Sequence, residues 1–534
     1  MDHRNRFRLE SLGIFLFALL LFTLGIWDQQ PQGFDGRWAL FLQEMFRHGA
    51  SLFPTTYGQP YADYPGTATF LSYMFARLFG APNHLANVLP TALASAGVVA
   101  LIYRLLVPAS RRWALLTVLL TLLTTQLLEK SRSVCLDQMV ALLCVASFYL
   151  LHSGERLDSR VRQLAVFPLF ILGFAIRGPL GLIEVCGVVC VYWALGKPGE
   201  RVRQMLIHGI VGLVLLAACW WLLVKLARIS GGDAFADEVF KMQVGGRLDE
   251  TGEPFYFYFQ LSFYRYFPVV PLALAAMIAL RHRWAERFEG DMQMVVRLGA
   301  CGLMILLGLS VPHFKRAYYI LPMVPMFAAV AAYGLLQAQG WLSDVRRCYE
   351  GLVAALPALC VVVVFVCRHG WQKHGYWPDV SLPLLIGVLV VLQVAALIAW
   401  RRVGRLVWLS LIALIAQWLL LVTVVEPSKD LQFDTRQFVG HVEALRVVRP
   451  GPLVFINLGR DTWAVRYMMN LEHDEQPVFI SSRELERLSA LPRPAWVIVA
   501  RKEAALLEGT PLEQLTPAFE GRLNDNPLMV FVLK

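Results

Sequence analysis

Charge is scarce in this chain. Only 16% of its 534 residues are Asp, Glu, Lys or Arg, 57% are apolar, and the mean hydropathy is +0.53. That balance excludes a disordered chain and makes lipid the solvent for most of the molecule. The nine cysteines run from Cys135 to Cys367, within or beside apolar stretches apart from Cys348 in a loop, and the C-terminal region has none. A disulfide framework is therefore not expected. No His or Cys cluster has zinc spacing, and His48 and His84 stand alone, as interfacial or capping histidines do. Neither an internal repeat nor a low-complexity tract is found. No small-residue cleavage site follows the apolar run behind Arg4, Arg6 and Arg8, so this run reads as an uncleaved spanning helix rather than a signal peptide. The formal net charge of +10 is not gathered on one amphipathic face. No nucleic-acid partner is expected.

Long apolar runs recur instead. Segments near 12–28, 84–107, 113–128, 134–152, 164–176, 179–195, 206–226, 266–280, 296–312, 318–337, 351–367, 383–400 and 406–424 predict about thirteen spanning helices. Under that count the arginine-rich clusters all fall on one side, among them Arg111/Arg112, Arg156/Arg160/Arg162, Arg281/Arg283/Arg287, Arg346/Arg347 and Arg401/Arg402/Arg405. Positive residues stay cytoplasmic, so the N-terminus is expected inside and the C-terminal region outside. Two long loops lie on the outer side. The first, 28–83, has helix-like stretches with apolar faces suited to the membrane interface, and the second, 227–265, reads as a mobile loop ending in the aromatic run FYFYF. The expected division is a transmembrane part, 1–425, and a small soluble α/β domain, 426–534, with a helix near 434–446 and strands at PLVFIN, PVFIS, AWVIVA and LMVFVL.

Ionisable groups at the edge of a membrane are costly and mark candidate sites. Asp35, in GFDGRWA beyond the first span, could act as general base on an acceptor hydroxyl or amine, or could cap the helix beginning near Gly36. Asp137, in SRSVCLDQM, is a second carboxylate facing the same outer side; its alternative role is a buried salt bridge with Arg132. Asp63, in a turn shaped by Tyr61 and Pro65, could join Asp35 in holding a divalent metal cation. Cations on the outer side run against the topological bias. Arg177, Arg247, Lys315 and Arg316 are placed there, either to meet an anionic group or to snorkel to the interface.

These residues stand in a recognisable order. FDGRWALFLQEM, YGQPYADYPG, LFGAPNHLANVLPTALA, SRSVCLDQM, RGPLGL and FKRAYYILPMVP resemble, in sequence and spacing over roughly residues 10–340, the motifs of the C-type (GT-C) polyprenyl-phosphate-dependent glycosyltransferases. That group includes the lipid A aminoarabinose transferases and relatives of the protein O-mannosyltransferases. The chain departs from the pattern at Gly36, where the family has Glu, at Asp63, where it has Glu, and at Tyr64, where it has Lys. The resemblance implies an all-α polytopic GT-C fold, Asp35 as the main catalytic carboxylate and Asp137 as a supporting acid. It also implies Lys315 and Arg177 as phosphate ligands, with Tyr319 and Arg316 in the same motif. The implied partners are the bilayer, a polyprenyl-phosphate sugar donor and a glycolipid (lipid A included), glycan or protein acceptor. The implied place is a bacterial inner membrane with the site facing the periplasm. A transporter or lipid-linked sugar flippase fits the same helix count, and a non-catalytic receptor or assembly protein is a third reading.

Overall fold

The computed structural model describes residues 3–33, 35–63, 65–196, 199–245 and 252–534; Arg247 lies outside the described residues. Helices form at the positions of all thirteen apolar runs. Among the described residues seven are long and apolar enough to cross a membrane, or nine if each of two sharply bent pairs is one span. The first helix, α1 (His3–Thr23), carries Arg6, Arg8 and Glu10 in its opening turns. After it come α2 (Asp35–His48), the short hairpin β1 (Thr55–Thr56) and β2 (Gln59–Pro60), and α3 (Thr67–Phe79). The bundle continues with α4 (His84–Leu106), α5 (Arg111–Leu123), α6 (Thr125–Ser131), α7 (Leu136–Arg156), α8 (Arg160–Leu164), α9 (Val166–Arg177) and α10 (Pro179–Ala194).

Apolar side chains close the bundle. α1 packs on α4, α4 on α7 and α7 on α9 and α10, and Phe22, Tyr103, Trp113, Phe148, Phe170 and Tyr192 are wholly buried between them. The polar edge of each large ring finds a partner, as it must away from water: the Trp113 indole N–H donates to Ala329 O at 2.8 Å and the Tyr103 hydroxyl to Glu10 at 2.6 Å. Glu10 also pairs with Arg111 at 3.0 Å, Glu155 with Arg297 at 2.7 Å, and Glu350 with Arg346 and Arg405. These partners join the N-terminal end of α1 to the C-terminal end of α4, and the C-terminal end of α7 to the start of the helix Gly290–Ser310. The arginine-rich loops thus gather at the end of the bundle where α7 finishes.

The second long loop is shorter than the sequence suggests. α11 (Arg201–Phe240) runs well past residue 227, with a break at Gly232 (φ 80°), and a single π-turn follows over Lys241–Gly245. Burial explains the extension: Phe235, Ala236 and Val239 are covered, and the Phe235 ring meets Phe53 of the first outer loop edge-on at 5.1 Å. The aromatic run resumes as the helix Phe257–Arg265.

Beyond the last membrane helix, Arg405–Leu420, the chain enters a mixed sheet. Strands β3 (Leu453–Ile456), β4 (Val478–Ile480), β5 (Ala495–Ala500), β6 (Phe519–Leu523) and β7 (Asn526–Leu533) lie in the order β4-β3-β5-β7-β6. β3 is parallel to β4 and β5, whereas β7 is antiparallel to β5 and β6. Alternating side chains serve the two faces: Phe455, Trp496 and Ile498 on one, Ile456, Val497 and Val499 on the other. The first of these cores also takes in Leu40 and Tyr57 of the first outer loop. β6 is absent from the sequence reading because FEGRL has a single buried apolar residue, Leu523, to mark it.

Arg132 joins these parts, and its partner differs from the one expected. Its guanidinium makes two 2.6 Å bonds to the Glu426 carboxylate and donates to Leu21 O at 2.7 Å and Leu24 O at 2.9 Å. The first helix, the bend after α6 and the entry to the C-terminal domain meet at one side chain. Removing one partner strands a buried charge. Arg132→Ala is expected to cost about 3–5 kcal/mol and to lower the apparent unfolding temperature in detergent by several degrees, read from tryptophan fluorescence. An Arg132→Met/Glu426→Leu pair should recover part of that loss.

Candidate active site

Two cavities open at the end of the bundle where α1 finishes and α7 begins, and Val134, Cys135 and Tyr318 line both. One lobe, of about 490 Å³, contains Asp35; the other, of about 370 Å³, contains Asp137, Arg177, Arg316 and Tyr319. The ion pairs Glu10–Arg111 and Glu155–Arg297 lie at the opposite ends of the same helices.

Asp35 opens α2 but does not spend its carboxylate on that helix. Its Oδ2 accepts the backbone N–H of Val134 at 3.1 Å, across from the segment that starts α7. Burial pushes the Asp35 carboxyl up to about 6, and nearby Glu129 adds to this, while the charge of Lys130 and the Val134 N–H oppose it. A base poised near neutrality results.

Asp137 occupies the first turn of α7, where the positive end of the helix favours a carboxylate. Its partner is Arg177, not Arg132: Nε donates to Oδ1 at 3.0 Å, and both side chains are buried. Arg177 ends α9, and Gly178, at φ 65°, reverses the chain into Pro179 at the first turn of α10. A side chain at Gly178 would be strained there, and its Cβ would lie 2.7 Å from Gln243 Oε1. The guanidinium of Arg177 also lies over the Tyr319 ring, 4.5 Å from its centre.

Tyr61 and Asp63 stand on the wall of the Asp137 lobe with Arg37, which donates to the Tyr61 hydroxyl and lies 3.9 Å from the Asp63 carboxylate. Arg316 lines this lobe too, its guanidinium over Phe314 at 5.0 Å. Lys315 turns elsewhere: it is buried and donates to Glu253 O at 2.8 Å, tying down the end of the second outer loop without lining either lobe. Arg316 holds the place expected for Lys315. The pairing of Asp35 with Asp63 about a metal does not fit this geometry. Asp35 lines one lobe and Asp63 the other, beside a cation, and no group of three or more His, Cys, Asp or Glu among the described residues could hold an ion.

Known proteins share this fold. A family model described as dolichyl-phosphate-mannose-protein mannosyltransferase matches residues 63–223. The structure of ArnT from Cupriavidus metallidurans bound to undecaprenyl phosphate is similar over 97% of both chains, with a TM-score of 0.73 at 16% identity, and its apo state gives the same score at 14% identity. The fold is that of the C-type glycosyltransferases. The apo oligosaccharyltransferase of Archaeoglobus fulgidus shares it more distantly, with a TM-score of 0.51 at 10% identity over 92% of this chain and 70% of that one. By sequence, no protein of curated function matches.

On this GT-C frame several residues join the site that sequence reasoning missed. Lys130, in α6, lines the Asp35 lobe with its ammonium 5.3 Å from the centre of the Tyr318 ring. Trp463 and Arg466 of the C-terminal domain line the same lobe, and Asp461 and Thr462 the other. Lys130 had a signal, since it is a lysine on the outer side of the predicted topology. Residues 461–466 had none, because nothing local to them reports that the domain folds back over α2.

The raised Asp35 carboxyl carries a sign that stability measurements can read. Ionising a group whose folded-state pKa lies above the ordinary 3.8 opposes folding, so the cost is absent below pH 4, grows as pH rises toward 6 and is constant above. A rise from 3.8 to about 6 corresponds to roughly 3 kcal/mol. Asp35→Asn should therefore be more stable than the natural protein at pH 7–8, and thermal unfolding in detergent across a pH series should show the advantage fading between pH 6 and pH 4.

Proposed function

We propose that this protein is a membrane glycosyltransferase that takes a sugar from a polyprenyl phosphate and transfers it, with inversion, to an acceptor on the non-cytoplasmic face of a membrane. The observation that carries the reading is that two adjoining cavities share Val134, Cys135 and Tyr318, one holding the raised carboxylate of Asp35 and the other the guanidinium groups of Arg177 and Arg316. Asp35 faces one lobe, and Arg177 and Arg316 face the other. ArnT, which shares the fold, binds undecaprenyl phosphate. The placement of the arginine-rich loops at the opposite end of the bundle supports a cavity on the non-cytoplasmic side, which is the periplasm if the membrane is the bacterial inner one that the resemblance implies.

The donor phosphate would sit against Arg177 and Arg316, with Tyr61 and Tyr319 flanking it. Asp137 is then a positioning residue, because its 3.0 Å bond to Arg177 Nε fixes the guanidinium. The acceptor enters beside Asp35. Its oxygen or nitrogen forms the new bond to the anomeric carbon, the bond from that carbon to the phosphate oxygen breaks, and the phosphate leaves with the electron pair. The acceptor proton passes to Asp35. Electrostatic stabilisation of the departing phosphate by fixed cations in a dry cavity is the larger contribution. The acceptor class is a lipid A, another glycolipid, a glycan or a protein.

Transfer of radiolabelled sugar from an undecaprenyl-phosphate donor to an envelope extract tests this directly. Asp35→Asn should reduce the rate by about 10²–10⁴ with donor binding retained, and undiminished transfer would remove the base. Arg177→Gln and Arg316→Gln should weaken donor use by about tenfold or more. In the natural protein the rate should fall as pH drops below about 6, where Asp35 takes up its proton.

A further inference from the structure

Four cations line the Asp35 lobe: Lys130, Arg132, Lys429 and Arg466. Two are neutralised in place, Arg132 by Glu426 at 2.6 Å and Lys429 by Glu129 at 2.9 Å. The other two have no carboxylate within ion-pair distance among the described residues. Lys130 is held over Tyr318, and Arg466 stacks on Trp463 with its Cζ 4.4 Å from the ring centre. The Arg466 Nε is buried with no hydrogen-bond partner. Asp525 lines the lobe as well; its Oδ1 accepts the Asn524 amide at 2.6 Å, and its charge acts on Arg466 from beyond ion-pair distance. A guanidinium stacked on an aromatic face keeps its N–H edge for a planar or tetrahedral anion.

Arg466 packs beside Gly36. The segment 465–469 packs flat on the first turn of α2, where a Cβ at Gly36 would lie 3.1 Å from Met469 Sδ and 3.8 Å from Arg466 Cγ. Gln43 and Arg47, further along α2, hold the same segment by bonding Met469 O and Leu471 O. The glycine beside Asp35, where the resembling family carries Glu, is the notch into which the C-terminal domain fits.

We propose that Lys130 and Arg466 form an anion-binding site in the Asp35 lobe that grips a phosphate or carboxylate group of the acceptor, so that the C-terminal domain selects acceptors carrying one. This rests on the reading that the Asp35 lobe takes the acceptor. The test uses the full chain in phosphatidylcholine nanodiscs in an Arg316→Gln background, which removes one of the four cations that line the other lobe, Arg37, Arg177, Lys241 and Arg316. Inorganic phosphate and, separately, acetate are titrated by calorimetry, and the tighter of the two identifies the anion. Adding Lys130→Gln or Arg466→Gln should weaken binding about tenfold, and Arg466→Lys, which keeps the charge but loses the stacked planar edge, should restore only part of it. Binding that is absent in the Arg316→Gln parent, or unchanged by both added substitutions, overturns the site. In the transfer assay Arg466→Gln should raise the acceptor KM and leave the donor KM unchanged. An anion site that behaves as expected while acceptor KM stays fixed overturns its assignment to the acceptor and leaves the site itself standing.

Discussion

An ionised side chain placed where water is scarce has to be met by opposite charge or by hydrogen-bond donors, and the outer end of this bundle is arranged by that requirement. Arg132 is met by Glu426 and two helix-end carbonyls, Arg177 by Asp137 and Lys429 by Glu129. Each pair joins chain segments far apart in sequence, so satisfying the charges also fixes the architecture. Asp35 is one exception: among the described residues its carboxylate accepts only the Val134 N–H, and the remaining mismatch appears as the raised carboxyl. The surrounding ion pairs make that exception tolerable because they hold the wall in place around it.

The C-terminal domain is tied to the first outer loop by the same logic. Gln29, Gln30 and Gln32 bond to Glu426, Asp434 and Asp430 in turn, laying the chain that follows α1 along the helix that enters the sheet domain. Apolar burial adds to it, since Leu40 and Tyr57 sit in the core on one face of the sheet, and the Tyr57 hydroxyl donates to Arg460 O at 2.6 Å. The domain is therefore a roof whose position follows from α2, the helix that also carries Asp35.

Hydropathy made most of the scaffold legible. A run of about twenty apolar residues has few fates other than a spanning helix, and helices stand at each of the thirteen predicted positions. Asp35, Asp137, Arg177 and Arg316 were legible because charge on the outer side of such a topology needs a reason. Partners were not: Arg132 is five residues from Asp137 and bonds instead to Glu426, 294 residues away. Lys315 and Arg316 are neighbours with the same charge, yet only Arg316 lines the cavity, because the loop backbone at Glu253 captures Lys315. The extension of α11 depended on Phe235 finding Phe53, a contact that no local pattern encodes.

The boundary between the two lobes carries the remaining step. Tyr318 lies under Lys130 on the Asp35 side, and Tyr319, nearly perpendicular to it at 5.3 Å, lies under Arg177 on the other. Residues 134–137 form the facing wall, giving Asp35 its N–H at Val134 and Arg177 its carboxylate at Asp137. On the proposed reading a sugar bridging donor and acceptor has its anomeric carbon at this septum, because it is the place that both lobes share. Two adjacent tyrosines and the four residues that lead into α7 then set the relative orientation of base and phosphate. Small displacements there would misalign both partners at once, as expected of a reaction whose acceleration comes from positioning and fixed charge.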